Sequence, residues 1–248
     1  TGELASGLTG KGRMEEPEKI TGAVIEFLTS KKKLKGKRFL VTAGPTIEKI
    51  DPVRFIGNHS SGKMGYAIAE SLASEGAQVD LISGPVQITT NNPNIAVYPV
   101  ESANEMFQEA TKRFKTADGA IMAAAVSDYS VATPSGKKLK REQTGNISLE
   151  LIPNKDIAAA LGEQKKQNQI LVGFALETDN EMENATKKLQ KKNLDCIILN
   201  SLKESGAGFN VNTNKITIIN NKGEQKAFSL KEKKEVAADI VQYLVENY

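Results

Sequence analysis

From residue 37 onward, short β-branched apolar runs alternate with stretches whose apolar residues recur at helical spacing. Arg38 to Thr42, Gln78 to Ser83, Ile95 to Val100, Gly119 to Ala124, Ile170 to Phe174 and Leu194 to Leu199 read as strands. Gly62 to Glu75, Ala103 to Phe114, Asp156 to Gly162 and Glu181 to Lys192 read as the helices between them. A strand reaches a parallel neighbour only by a crossover, so this alternation predicts an α/β, Rossmann-like three-layer fold with a mostly parallel sheet. Ile147 to Ile152 alternates as a further strand. Lys215 to Ile219 and Gln225 to Ser229 flank Asn220-Asn221-Lys222-Gly223, which predicts a C-terminal hairpin, and Lys231 to Glu246 closes the chain as a helix.

Residues 1 to 36 read differently: a glycine-rich start, a helical stretch from Pro17 to Leu28, then Lys31-Lys32-Lys33. They are expected to form a separate segment and linker. The 248 residues suffice for one large α/β domain or two small ones. A formal charge of +3 is too small an excess to imply nucleic acid. Cys196 is the only cysteine, in the apolar run Leu194 to Leu199, so no disulfide framework or zinc site can form within the chain. No apolar run approaches a membrane span and the first residues lack a signal-peptide core, which makes the cytoplasm the expected location.

In open α/β sheets, ligands collect beyond the carboxyl ends of the strands. After Thr42 come Ala43-Gly44-Pro45-Thr46-Ile47-Glu48 and then Asp51-Pro52-Val53-Arg54-Phe55-Ile56-Gly57-Asn58-His59-Ser60-Ser61-Gly62-Lys63-Met64-Gly65. Pro45 and Pro52 stiffen this connection, and Pro52 makes Asp51 to Arg54 a poor strand. Ser60 or Ser61 is expected to cap the helix that starts near Gly62, whose free amides favour an anion; a capped helix without a ligand is the plain alternative. Gly57 to Lys63 has P-loop spacing, but Met64 stands where magnesium coordination needs a hydroxyl. His59 beside Ser60 and Ser61 does not make a hydrolase, because the groups of a triad converge from separate segments.

The strand end Met122-Ala123-Ala124-Ala125-Val126-Ser127-Asp128 lets a ligand approach the backbone and offers the Asp128 carboxylate; close helix packing would also explain the alanines. Lys137-Lys138-Leu139-Lys140-Arg141 is either an anchor for a triphosphate or a solvated tip. Gly173-Phe174-Ala175-Leu176-Glu177-Thr178 repeats the strand-end pattern with an aromatic face for a base. Lys188 and Lys192 share a helix face, where like charges cost roughly a few tenths of a kcal/mol that an anionic ligand would reverse.

In order and wording these segments resemble phosphopantothenoylcysteine synthetase over residues 37 to 248, with Asp51 to Arg54 through Ser60 to Gly65 the most specific match. Ala123 to Tyr129, the lysine loop, Pro153-Asn154-Lys155-Asp156-Ile157, Gly173 to Thr178 and Lys192-Asn193-Leu194-Asp195 also fall in that family's sequence. The resemblance implies a phosphopantothenate-cysteine ligase of coenzyme A biosynthesis. In such an enzyme the 4'-phosphopantothenate carboxylate attacks the α-phosphate of CTP, with Mg2+ assisting. The L-cysteine amine then displaces CMP from the acyl-cytidylate.

Carried over by position, it makes Asn58 the residue that processes the acyl-cytidylate, with Arg54 nearby and Lys138 needed for chemistry. It assigns the nucleotide to Met122, Ala123, Ala124, Ala125, Asp128, Lys138, Phe174, Lys188 and Lys192, with Pro153, Asn154, Lys155 and Asp156 lining it. It places the other substrate at Gly44, Asn58, Ser60, Ser61, Gly62 and Lys63. No metal ligand is assigned. A homodimer is also implied.

Gly2 to Met14 is similar to the end of phosphopantothenoylcysteine decarboxylase, the flavin enzyme fused ahead of the synthetase in many bacteria. Residues 1–36 therefore read as a remnant of that domain plus linker, and 37–248 as the ligase domain. FMN would belong only to the absent decarboxylase domain, and Ser6 replaces a cysteine usual in this stretch. Two other readings stand beside the ligase. A nicotinamide-dependent oxidoreductase would share the fold, although Gly44-Pro45-Thr46 replaces its glycine fingerprint. A non-catalytic nucleotide-binding module is the other.

Overall fold

The structure, a computed structural model, describes residues 2–3, 9–10, 14–30, 32–141, 146–177, 179–201 and 211–248. The chain divides into two compact units, Thr1–Lys33 and Leu34–Tyr248. In the first, β1 (Gly2–Glu3) pairs antiparallel with β2 (Thr9–Gly10), and α1 (Pro17–Ser30) follows. Pro17 opens that helix, where its missing N–H costs nothing. Ser6 and Thr178 lie outside the described residues.

The second unit runs β3 (Arg38–Ala43), β4 (Ile47–Lys49), β5 (Phe55–Gly57), α2 (Lys63–Ser74), β6 (Gln78–Ser83), β7 (Ile95–Pro99), α3 (Ala103–Phe114) and β8 (Gly119–Met122). It continues with β9 (Tyr129–Val131), β10 (Leu151–Pro153), α4 (Ile157–Gln164), β11 (Ile170–Glu177), α5 (Glu181–Lys191) and β12 (Cys196–Ser201). The last elements are β13 (Thr213–Asn214), β14 (Ile216–Asn220), β15 (Gln225–Ala227), β16 (Lys231–Glu232) and α6 (Lys233–Asn247).

Eight strands form the central sheet in the order β15-β14-β12-β11-β8-β3-β6-β7, with every neighbouring pair parallel except β12–β14 and β14–β15. The central strands bury both faces. In β3, Phe39 and Val41 enter one core with Ile68 and Leu72 of α2 and Ile240 of α6. Leu40 enters the other with Met106 and Phe114 of α3, Leu161 of α4 and Leu189 of α5. Alternation on the pleat thus supplies a core on each side, which is why these runs read as continuously apolar. The expected α/β three-layer fold and C-terminal hairpin are both present: β14 and β15 pair antiparallel around Gly223, whose φ is 83°.

Two expectations need correction. Ile147 to Ile152 is strand only at its end, where Leu151–Pro153 pairs antiparallel with Tyr129–Val131. Its apolar residues Ile147, Leu149, Leu151 and Ile152 are exposed, so the alternation faces no core among the described residues. Asp51 to Arg54 is not strand, as expected: it is the turn of a small hairpin, β4 with β5, where the Asp51 carboxylate accepts from the amides of Val53 and Arg54. Neither Ser60 nor Ser61 caps α2. The N-cap is Gly62 with φ 77°, and Ser60 Oγ accepts only from the Gly62 amide, at 3.4 Å.

Candidate active site

Chain order leaves β3 for β6 and β7 on one side and returns to β8 on the other, so strand order reverses between β3 and β8. The crevice at such a reversal, beyond the carboxyl ends, is where open α/β sheets bind ligands. Here the segments leaving the two strands are tied together. Pro45 and Ala125 form a parallel bridge; the Ala125 amide donates to the Gly44 carbonyl at 2.9 Å and the Thr46 amide to the Ala125 carbonyl at 3.2 Å. Thr42 Oγ1 accepts from the Ala124 amide and Thr46 Oγ1 from the Ser127 amide. Gly44 has φ 79°, and a Cβ there would meet Val86 Cγ1 at 2.9 Å, so glycine suits this crossing. Asn58 Nδ2 donates to the Ala125 carbonyl at 3.0 Å, which sets Asn58 on this seam.

Arg54 does not stand free. Its Nε and Nη2 reach Asp51 Oδ2 at 3.0 and 2.6 Å, and Nη2 also donates to the Leu139 carbonyl. The Leu139 amide donates back to Asp51 Oδ2 at 3.2 Å, and the Ser135 amide to the Ile50 carbonyl at 2.9 Å. Asp51 and Arg54 therefore clamp the base of the loop that carries Lys138. Lys138 itself is exposed. Burial alone would raise the Asp51 carboxyl, but the amides of Val53, Leu139 and Arg54 and the Arg54 guanidinium outweigh it and hold the group at about 2.

A carboxyl below its unfolded value, about 3.9, contributes stability fully present above that value and lost as pH falls through the folded one. Urea midpoints of the parent and Asp51→Asn are thus expected to differ at pH 6 and to converge between about pH 4 and pH 2. A constant gap across that window would remove Asp51 from this role.

Beside the seam, a cavity of about 320 Å³ opens beyond β8 and β11. Its walls include Met122, Ala124, Asp128, Asn154, Lys155, Asp156, Phe174, Lys188 and Lys192, brought together from four separate stretches. The Asn154 amide donates to the Asp128 carbonyl at 2.8 Å and its side chain to the Ser127 carbonyl at 2.9 Å, which fixes the wall between Asp128 and α4. Asp156 caps α4 by accepting from the Ala159 amide and meets Lys192 Nζ at 2.9 Å. Burial would raise its carboxyl, but the Ala159 amide and then Lys192 hold it below the usual range. Lys155 Nζ stands 4.9 Å from the centroid of the Phe107 ring.

Four expected residues lie elsewhere. Ala123 packs against the α2–α6 core, Ala125 sits on the seam, Pro153 pairs with Tyr129, and Lys138 is on its clamped loop. Lys63 turns away: its Nζ donates to Asn212 Oδ1 at 2.6 Å, in the layer of α2 and α6. Ser60, Ser61 and Gly62 stay at the start of α2, where a Cβ on Gly62 would meet Val86 Cγ1 at 2.8 Å.

Sequence reading missed Thr42, which lines the cavity, and Glu177. Strand β11 runs three residues past the expected Phe174, so Glu177 ends it and meets Lys188 Nζ at 2.6 Å. The repulsion between Lys188 and Lys192 is therefore already offset by Glu177 and Asp156. A polar end to an otherwise apolar strand was the signal available for both Thr42 and Glu177. Cys196 is no nucleophile at neutral pH: burial, and then the Asp195 charge, push its thiol up to about 12.

The fold and the seam define an open α/β domain with a candidate ligand site at its sheet reversal. Residues 34–248 match the family described as the DNA/pantothenate metabolism flavoprotein C-terminal domain, and the chain belongs to that family. It is 44% identical over its whole length to the coenzyme A biosynthesis bifunctional protein CoaBC of Haemophilus influenzae, of which it spans 61%. It is 53% identical over 99% of its length to a protein of an unknown prokaryotic organism named cysteine/cysteine sulfinic acid decarboxylase, of which it spans 69%. Among solved structures it is similar to the C-terminal domain of a CoaBC protein, with TM-score 0.73 and 40% identity over 87% of this chain and 97% of that one. No helix among the described residues is long and apolar enough to cross a membrane.

Proposed function

We propose that this chain is the phosphopantothenate-cysteine ligase part of a bifunctional coenzyme A protein, with residues 1–36 the end of its decarboxylase domain and linker. The reading rests on family membership together with one observation, the meeting of Asn58 with the Ala125 carbonyl beside the cavity of Asp128, Lys188 and Lys192. CTP would occupy the cavity. The 4'-phosphopantothenate carboxylate attacks its α-phosphate, the bond to the β-phosphate breaks, and pyrophosphate leaves. The cysteine amine then attacks the acyl carbonyl, and CMP leaves as the amide forms.

Charge neutralisation and oxyanion stabilisation are what the residues must supply. Lys138, on its clamped loop, supplies a cation to the phosphates. Lys188 and Lys192, each held by a carboxylate, line the nucleotide. Asn58 has two N–H groups, so one can stay on Ala125 while the other donates to the intermediate. Magnesium binds oxygen ligands through one or two carboxylates plus substrate phosphates, and Asp128, an exposed carboxylate on the cavity wall, suits that part. Its chemistry would be to neutralise the triphosphate.

A homodimer is supported by the exposed apolar row of Phe55, Tyr129, Leu151 and Ile152 on the two small hairpins, a surface of the kind a second copy would cover. The cytoplasm is the proposed compartment. FMN has no part in residues 37–248.

With magnesium, CTP, phosphopantothenate and cysteine, CMP and pyrophosphate are expected in equal amounts. Formation of CDP and phosphate would replace the acyl-cytidylate by an acyl phosphate and overturn the proposed route. No turnover at all would leave a nucleotide-binding module.

A further inference from the structure

The segment from Asn58 to Ser61 runs between two anchored ends, with Asn58 and His59 exposed and Ser60 and Ser61 half-buried. Gly57, before it, pairs with Ile47 in the β4–β5 hairpin. Gly62, after it, is the left-handed N-cap of α2, and no side chain caps that helix. Packing holds this end instead. A Cβ on Gly62 would meet Val86 Cγ1 at 2.8 Å and the Gly44 Cα at 3.5 Å, and a Cβ on Gly44 would meet the same Val86 methyl at 2.9 Å. One methyl group thus lies against both left-handed glycines, the one that leaves β3 and the one that opens α2.

Val86 is itself fixed. It follows Ser83, Gly84 and Pro85 at the end of β6, where the Gly84 amide donates to the Ala43 carbonyl at 2.9 Å. Ser83 Oγ accepts from the Tyr66 hydroxyl at 3.2 Å and donates to the Gly84 carbonyl at 2.9 Å. Pro85 narrows the backbone further, and a β-branched side chain is stiff at χ1, so the Val86 methyl keeps its place. The helix beyond Gly62 has its own support. A Cβ on Gly65 would meet Ala43 Cβ at 2.6 Å, so the first turn of α2 already packs on the end of β3. Val86 therefore bears on the segment before the helix, and so on Asn58, whose Nδ2 reaches the Ala125 carbonyl at 3.0 Å.

We propose that Val86 is a positioning residue for Asn58: its methyl, set against Gly44 and Gly62, fixes the far end of the Asn58 segment and so the direction in which the Asn58 amide is presented. It acts through Asn58 and is not itself a catalytic residue. Alanine at 86 leaves Gly62 facing a gap, and the segment gains positions in which Nδ2 parts from the Ala125 carbonyl. Threonine keeps the branched shape and with it the contact. The bearing on cysteine attack rests on the ligase reading; the bearing on the bond between Asn58 and Ala125 does not.

The test reads the side-chain amide protons of Asn58 in the whole chain by nitrogen-15 NMR, the pair being identified by its absence in Asn58→Asp. In Val86→Ala their exchange with water is expected to quicken several-fold, and in Val86→Thr to return to the parent rate. In a cysteine chase, CMP release by Val86→Ala should fall on the order of tenfold, short of the roughly 10²-fold that a full ångström of misplacement costs. Pyrophosphate formation should stay at the parent rate. Ile88→Ala, which removes a larger apolar group two residues on, against the α2–α6 core, is the control for stability. It should lower the thermal midpoint and leave both readouts alone. Unchanged exchange in Val86→Ala, equal quickening in Ile88→Ala, no recovery in Val86→Thr, or CMP release by Val86→Ala at the parent rate each overturns the proposal. The exchange rates decide it even without turnover, whereas pyrophosphate missing from the parent protein counts against the ligase reading alone.

Discussion

Asn58→Asp is expected to form pyrophosphate from CTP and phosphopantothenate but to release CMP slowly when cysteine is added. The first half-reaction needs cations, which the variant keeps. The second develops negative charge on the acyl oxygen, and there a carboxylate has no N–H to offer. Loss of one preorganised donor to such an oxyanion costs on the order of 10²–10³-fold in rate. Aspartate at 58 would also set an acceptor against the Ala125 carbonyl, which now accepts from Asn58 at 3.0 Å, so the side chain would turn off the seam. Because Asn58 is exposed, the thermal midpoint should stay close to that of the parent. The measurement is a chase of preformed intermediate with cysteine, following CMP. Release at the parent rate would make Asn58 a tether between loops and nothing more.

The second large effect concerns Lys138. A solvated lysine changed to glutamine alters stability by less than about 0.5 kcal/mol and leaves the rate alone. Lys138 is exposed in the structure, yet its loop is clamped: Leu139 is bonded at its amide by Asp51 and at its carbonyl by Arg54. Such a clamp fixes the backbone next to Lys138, so its cation has less freedom to lose when it meets a developing charge. Single-turnover pyrophosphate formation by Lys138→Gln should therefore fall on the order of 10²-fold. Lys35→Gln, at an exposed lysine before β3, serves as the control. Equal rates in the two variants would return the loop to a solvated tip.

Much of the framework was legible in local pattern. The strands from Arg38, Gln78, Gly119 and Ile170 begin where the sequence placed them, because a strand buried on both faces is an unbroken apolar run whatever lies beside it, and the edge strand from Ile95, buried only at its first residue, begins as expected too. Helices α3 and α5 were equally plain from their period. The hairpin around Gly223 was marked by its own turn residues. For the candidate site, sequence wording brought out Asn58, Asp128, Phe174, Lys188 and Lys192 as a set, of which the structure joins the last four in one cavity.

What the sequence by itself determined is thus the order and type of the strands of the central sheet and of the helices between them, since each follows from forces between residues a few positions apart. The tertiary structure decided where side chains point at the ends of those elements. Lys63 follows Ser60 and Ser61 in one motif, yet after the left-handed turn at Gly62 its ammonium meets Asn212 in the layer of α2 and α6, 149 residues on. Asp51 and Leu139 stand 88 residues apart and Asn58 and Ala125 67 apart; no periodicity connects them, and they meet because strand order reverses between β3 and β8. Lys188 finds Glu177 only because β11 runs on past Phe174. Such pairings depend on sheet order and on single backbone torsions, which long-range packing fixes and local spacing does not record.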